Sequence, residues 1–323
     1  MVRTRAAKQR AFSLLPQFDK KTEEPVTSVE TLEKKTNEIL TELDDMIGLT
    51  TVKKNIREIR AYVEIQKRRQ QKKLAAEPQV LHMIFRGNPG TGKTTVARII
   101  GRLFKEIGVL EKGHLVEVER ADLVGEYIGH TAQKTREQIK KAVGGILFID
   151  EAYSLARGGE KDFGKEAIDV LVKAMEDYKE AVVLILAGYR DEMVHFIRCN
   201  PGLMSRFPIH IDFPDYTVWE LLEIAGLMLK KRQYILDTGA REALRQKLEA
   251  RTGPGNEHSG NARLVRNMIE QAIRRQAVRL VNKPEATREE LMQIKRTDIE
   301  ELSESAFSSD TWQYCKNKSA ALE

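Results

Sequence analysis

Eight consecutive residues, Gly87-Asn88-Pro89-Gly90-Thr91-Gly92-Lys93-Thr94, match the pattern G-x-x-x-x-G-K-[ST] in full. Small residues in such a run let successive backbone N–H groups converge on a phosphate, and a helix starting at its end adds a partial positive charge. Lys93 is placed to reach the β- and γ-phosphates of a nucleotide, and the Thr94 hydroxyl to take one Mg²⁺ position, with Thr95 continuing the helix. A second stretch, Gly145 to Ala152, ends the apolar Ile146-Leu147-Phe148-Ile149 in two carboxylates, Asp150 and Glu151. At a strand tip Asp150 would stand beside the Mg²⁺ shell, and Glu151 could orient and activate water against the γ-phosphate. A glutamate in that place favours hydrolysis over nucleotide storage. It also argues against a small-molecule kinase, which would use its acceptor instead of water.

These groups need a scaffold that brings loop and strand tip together. The glycine run lies between an apolar stretch, Val80–Phe85, and apolar positions at helical spacing, Thr95 to Ile107. Further strand candidates are Leu115–Val118, Gly145–Ile149, Ala181–Ala187 and Ile209–Phe213, alternating with helical patterns at Thr94–Ile107, Thr131–Val143, Lys165–Tyr178 and Glu192–Ile197. The alternation predicts an α/β fold, a parallel sheet covered by helices on both faces, over residues 43–213. Pro214 ends the pattern, and Val218–Arg232, Gly239–Arg251 and Ala262–Val281 predict a small all-helical domain over 214–283. Residues 1–42 read as a flexible, partly helical arm, with a helix near Val29 to Leu43, and 284–323 as a helical segment, Arg288–Ile294, with a polar tail.

Bulk properties narrow the class. The 323 residues carry 54 Lys/Arg against 48 Asp/Glu, a net charge of +6 that describes a mixed surface rather than a one-sided field. The densest basic stretch, Lys53 to Lys73, has apolar positions at helical spacing; it reads as the solvated face of an amphipathic helix, with a polyanion site as the alternative. No run approaches the roughly 18 to 20 apolar residues that span a bilayer, and a cytoplasmic protein is expected. Cys199 and Cys315 lie far apart and read as free thiols; His82, His195, Trp219 and Trp312 read as packing or surface residues, not as a metal site.

The glycine loop, the Asp150-Glu151 pair and the trailing helical domain together resemble the AAA+ ATPases over about residues 43 to 282. Within that family the stretches DLVGEYIGHT (122–131), FIDEAYSL (148–155) and NPGLMSRFPIHIDFPDY (200–216) resemble the branch of stage V sporulation ATPases and CbbX-type, red-type Rubisco activases. The resemblance implies a P-loop NTPase core with a helical lid, using ATP and Mg²⁺, and a homo-oligomer, most plausibly a ring of six, that acts on a protein client. Sporulation is the favoured setting and Rubisco activation the alternative; a nucleic-acid-associated loader or scaffold is the competing class.

By the same resemblance, Ile47, Gly48 and Leu49 contact adenine, where the plain alternative is core packing around a turn. Arg206 is the arginine finger offered to a neighbouring subunit, or else a surface arginine before a strand. Arg263 is the lid arginine that grips nucleotide in cis, unless, with Arg266 on the same helix face, it is one charge in a basic stripe with Arg274. Tyr127, Ile128 and Gly129 form a pore loop, or an ordinary turn outside a ring, and Arg157-Gly158-Gly159 a second loop at the pore. One departure stands out: Ala187-Gly188-Tyr189 occupies the place where many relatives carry Asn, Thr or Ser as first sensor.

Overall fold

The computed structural model describes residues 27–75, 80–127, 129–158, 162–252 and 260–300. Ile128, Gly159, Trp312, Cys315, the first part of the N-terminal arm and most of the 252–260 loop lie outside the described residues.

Two helices, α1 (Thr27–Asp44) and α2 (Thr50–Gln71), lead into the sheet. Val52, Ile56 and Val63 are the buried stripe of α2. Its cations are largely satisfied close by: Arg57 pairs with Asp44, Arg68 with Glu64, Lys54 with Glu58 at 3.8 Å, and Lys67 donates to Gly108 O at 2.8 Å. The basic stretch is thus a solvated helix face with local partners. The expected boundary at residue 42 falls inside α1, because Ile39 and Leu43 are buried in the core shared with the helix after the glycine loop.

The alternation then runs β1 (Met83–Arg86), α3 (Lys93–Glu106), β2 (Leu115–Val118), α4 (Arg120–Leu123), α5 (His130–Ala142), β3 (Ile146–Ile149), a 3-10 turn (Ala152–Ala156), α6 (Gly164–Asp177), β4 (Val183–Gly188), α7 (Arg190–Arg198), α8 (Pro201–Met204) and β5 (Ile209–Asp212). All five strands are parallel, in the order β2-β3-β4-β1-β5. Parallel neighbours require crossover helices, and these cover both faces. Successive side chains alternate between two cores. Met83, Phe85, Phe148 and Ile185 face the layer holding Val96, Ile99 and Leu103, whereas Ile84, Leu147, Ile149 and Leu184 face Ile139, Ile168 and Leu171. Since β3 and β4 are buried at every residue, they read as unbroken apolar runs. The carboxyl ends of β3, β4 and β1 lie side by side, and the loops that leave them share one crevice.

The lid comprises α9 (Val218–Lys231), β6 (Ile235–Leu236), α10 (Thr238–Thr252), α11 (Asn261–Leu280), α12 (Arg288–Met292), β7 (Gln293–Ile294) and α13 (Arg296–Glu300). It is helical but not entirely so: β6 and β7 pair in parallel, Ile235 opposite Gln293. The segment expected as one helix over 288–294 therefore stops at Met292, and residues beyond the expected limit at 283 pack as part of the lid. Ile294 and Ile299 are buried with Leu244, Leu248 and Val265, and Arg279 holds the Asp298 carboxylate bidentately at 2.9 and 2.8 Å. Two isolated isoleucines in a polar stretch give too sparse a pattern to announce this packing. Among the described residues no helix is long and apolar enough to cross a membrane.

His82 sits in the core as expected, 3% exposed, its Nδ1 accepting the Leu184 N–H at 3.1 Å. Burial lowers its pKa from 6.5 to about 4, partly offset by its bond to the Met175 backbone. The unfolded chain takes up the proton near pH 6.5 and the folded one resists it, so stability is full above 6.5 and declines as pH falls toward 4. The slope is at most about 1.4 kcal/mol per pH unit. Urea unfolding at pH 7.5 and pH 5 is expected to show a stability difference about 2 kcal/mol smaller in His82→Gln than in the parent. An unchanged difference would remove His82 as the titrating group.

Candidate functional site

The glycine loop leaves β1 and turns into α3 through backbone that side chains resist. Gly92, immediately before the helix, has φ 97°, and Gly90 has φ 76° with no room for more: a Cβ there would lie 2.5 Å from Gly260 O. The loop amides at the start of this 14-residue helix open onto a cleft of about 490 Å³. Lys93 is 9% exposed and its Nζ donates to Gly87 O and Asn88 O at 2.7 and 2.9 Å. Burial pulls the Lys93 pKa down; the charges of Asp150, Asp215 and Glu151 pull it back up, and Arg263 lowers it further.

Thr94 and Thr95 line the same cleft. The Thr94 hydroxyl donates to Glu117 Oε1 at 3.4 Å, and Glu117 pairs with Arg98 at 2.8 Å, one helical turn beyond Thr94. From the end of β3 come Asp150 and Glu151. Asp150 Oδ1 accepts the Glu151 N–H at 3.0 Å. Glu151 itself is left-handed, φ 46° and ψ 43°, a conformation that costs a non-glycine residue about 1 kcal/mol and clusters at functional sites. That twist ends the strand and leaves the carboxylate exposed on the cleft wall.

The cleft fits a nucleotide with its divalent ion. Converging amides and a buried ammonium suit phosphate, while Thr94 and Asp150 offer the hard oxygens that Mg²⁺ takes. Among the described residues no three His, Cys, Asp or Glu side chains are grouped to hold a metal alone.

Tyr189, just past β4, lines the cleft where a first sensor would stand. Burial, and then the neighbouring Glu151 charge, raise its pKa, so the group present is a neutral hydroxyl. The opposite wall is the start of α11: the Ala262 N–H donates to Gly90 O at 3.2 Å, and Arg263 and Arg266 line the cleft. Spacing along α11 pairs these two arginines on one face, and the structure turns that face to the loop.

Other expected residues stand apart. Ile47, Gly48 and Leu49 do not line the cleft; Leu49 lies behind the loop, where a Cβ on Gly92 would meet Met46 Cε at 3.3 Å and Leu49 Cδ1 at 3.7 Å, and a Cβ on Gly48 would meet the Glu220 side chain. Arg206, after α8, also lies outside the cleft of its own chain, donating to Gly202 O at 2.9 Å and pairing with Glu176. Tyr127 is 66% exposed, its ring edge-on to His130, and Gly129 at φ 83° has open space around it. Arg157 stacks on the Tyr153 ring at 4.5 Å and pairs with Glu192 at 3.0 Å. Glu117, Arg98, Asp215 and Asn261 were not singled out by sequence. For Arg98 the i, i+4 spacing from Thr94 was a usable signal; the others are joined to the site only by the fold.

Comparison with known proteins gives the same two parts. A family model for ATPases associated with various cellular activities (AAA) matches residues 83–215, and one for the AAA lid domain matches 217–309. Stage V sporulation protein K of Bacillus subtilis (strain 168) is 57% identical over 275 residues, 83% of this chain and 85% of that protein. The chloroplastic ribulose bisphosphate carboxylase/oxygenase activase of Cyanidioschyzon merolae is 46% identical over 266 residues, covering 81% and 90%. Among solved structures, the Thermotoga maritima RuvB Holliday junction branch migration motor aligns with a TM-score of 0.51 at 19% identity, over 80% of this chain and 69% of that one. At that identity the likeness concerns the fold.

Proposed function

Because this chain belongs to the AAA ATPases, with their core and their lid, we propose that it is a Mg²⁺-dependent ATP hydrolase that remodels a protein client as a homo-oligomeric ring of six. The observation that carries the reading is the single cleft in which Lys93, Thr94, Asp150 and Glu151 from the core meet Arg263 from the lid. Mg²⁺, held by Thr94 and Asp150, would supply positive charge against the negative charge that develops during transfer. The 87–93 loop binds phosphate through its backbone N–H groups, all but that of Pro89, which has none, Lys93 holds the β- and γ-oxygens, and Thr94 and Asp150 would hold the ion. Glu151, on the cleft wall, takes a proton from the attacking water. Arg263 ties the lid to the phosphates. Ile47, Gly48 and Leu49 contact the adenine, and Arg206 serves the cleft of the neighbouring subunit.

Tyr127, Ile128 and Gly129 are proposed to grip an extended polypeptide at the ring axis, an apolar contact that tolerates many sequences. The 57% identity to stage V sporulation protein K favours a sporulation-associated client in the cytoplasm. Rubisco activation is the second reading, favoured by the match that covers 90% of an activase. A nucleic-acid loader is disfavoured by the local pairing of the α2 cations.

The test separates chemistry from work. Tyr127→Ala is expected to keep ATP hydrolysis within about twofold, since an exposed side chain outside the cleft contributes little to the fold. A client retained from source-cell extract by Glu151→Gln protein in ATP is expected to be lost when Tyr127→Ala is added. Mass spectrometry of the co-purifying material reads the result; a partner indifferent to Tyr127, or nucleic acid in its place, overturns threading.

A further inference from the structure

Asp215 lies just beyond β5, between the two domains, and joins them through one carboxylate. Asn88 Nδ2, in the glycine loop, donates to Asp215 Oδ1 and Oδ2 at 3.1 and 2.9 Å. Asn261 Nδ2, at the first residue of α11, donates to Asp215 Oδ1 at 2.8 Å and to Pro89 O at 3.4 Å. Asn261 Oδ1 accepts the Tyr216 N–H at 3.0 Å. Tyr216 in turn donates its hydroxyl to Thr91 O at 3.1 Å, and burial keeps that phenol protonated by raising its pKa to about 12.

Asn261 is fully buried and has φ 45°. Asparagine is one of the few side-chain-bearing residues that enters this region readily. Here the amide serves two ends at once, its oxygen holding the start of the lid and its nitrogen holding Asp215 and the loop. Two residues further on is Arg263, in the cleft lining. A turn of α11 relative to the glycine loop would therefore break several bonds together.

We propose that Asp215 and Asn261 are positioning residues, a clamp that holds Arg263 at the phosphate loop and so sets how strongly the lid discriminates a nucleotide with a γ-phosphate from one without. This rests on the reading of Arg263 as the lid's nucleotide-gripping residue. A clamp that only joined two domains would affect stability and leave the discrimination unchanged.

The experiment measures binding of fluorescent ADP and of a fluorescent non-hydrolysable ATP analogue, with Mg²⁺, to the full chain. Asp215→Asn leaves an amide facing an amide, and Asn261→Asp sets a carboxylate against a carboxylate. Each is expected to reduce the preference for the ATP analogue about tenfold, the scale of one charge-assisted hydrogen bond. The reciprocal double variant, which restores an amide–carboxylate pair with donor and acceptor exchanged, is expected to recover most of the preference. Asn88→Ala tests the same link from the half-buried loop side without disturbing the buried amide, and a loss of preference is expected there as well. Arg263→Ala is expected to abolish the preference, and Asn261→Asp to add nothing in that background. If Arg263→Ala abolishes it while the clamp variants keep it, or the double variant is no better than the singles, the clamp is overturned. A full preference in Arg263→Ala overturns the lid-arginine reading and the clamp with it.

Discussion

Arg206→Ala is expected to bind nucleotide as the parent chain does and to hydrolyse it about 10³ to 10⁵ times more slowly, the range measured for arginine fingers. The side chain does not enter its own cleft; it is held near α8 by Gly202 O and Glu176 and is about one-third exposed. Removing it therefore leaves every group that binds phosphate in cis in place. The loss falls on the charge that spreads over the phosphoryl oxygens during transfer, which a planar guanidinium stabilises through two parallel hydrogen bonds. Phosphate release and fluorescent-nucleotide binding check the two halves of the expectation. Parent-like hydrolysis would falsify the assignment. A mixture with Glu151→Gln chains adds a stricter control, because a finger acting between subunits recovers activity at interfaces where an intact Arg206 meets an intact Glu151.

Glu151→Gln is expected to lower hydrolysis by about 10² to 10⁴, the usual contribution of a positioned general base, with nucleotide affinity within about twofold. Glutamine has the shape of glutamate and leaves unchanged the backbone bond from the Glu151 N–H to Asp150 Oδ1. Only the ability to take a proton from water is removed. Quenched-flow measurement of a single turnover separates this from slow product release: the chemical step itself must slow. A variant that bound ATP but turned it over normally in that measurement would move the base elsewhere on the cleft wall, where Glu117 is a further carboxylate to examine.

The core of the fold was open to reading because its signals are local. Each buried strand is an apolar run, each crossover helix a stripe at helical spacing, and the glycine loop is an eight-residue word whose meaning depends only on what flanks it. All five strands and four crossover helices fall within a few residues of expectation; β1 starts later, at Met83, because Leu81 and His82 are buried without pairing. What escaped was set by distance along the chain. Nothing near Asp215 announces that Asn88 and Asn261 will meet on it, and nothing near Gln293 announces Ile235. The left-handed turn at Glu151 was hidden for another reason: the side chain's chemistry was legible, but its backbone conformation is imposed by the surrounding fold. The resemblance placed Ile47 to Leu49 at the base, and of these Leu49 reaches Gly92 from behind the loop.

The pairing of β6 with β7, and of Arg279 with Asp298, has a consequence for how the protein is made. On a ribosome, residues up to 213 emerge with every strand of the main sheet available, so that layer has its partners early. The lid does not. Its strand at Ile235 waits for Gln293, and α11 waits for the carboxylate of Asp298, contacts of long sequence separation that form late. During that interval a nascent chain carries Arg263 on a helix not yet anchored by its own domain. Anchoring of the helix that carries Arg263 thus depends on a segment translated after it.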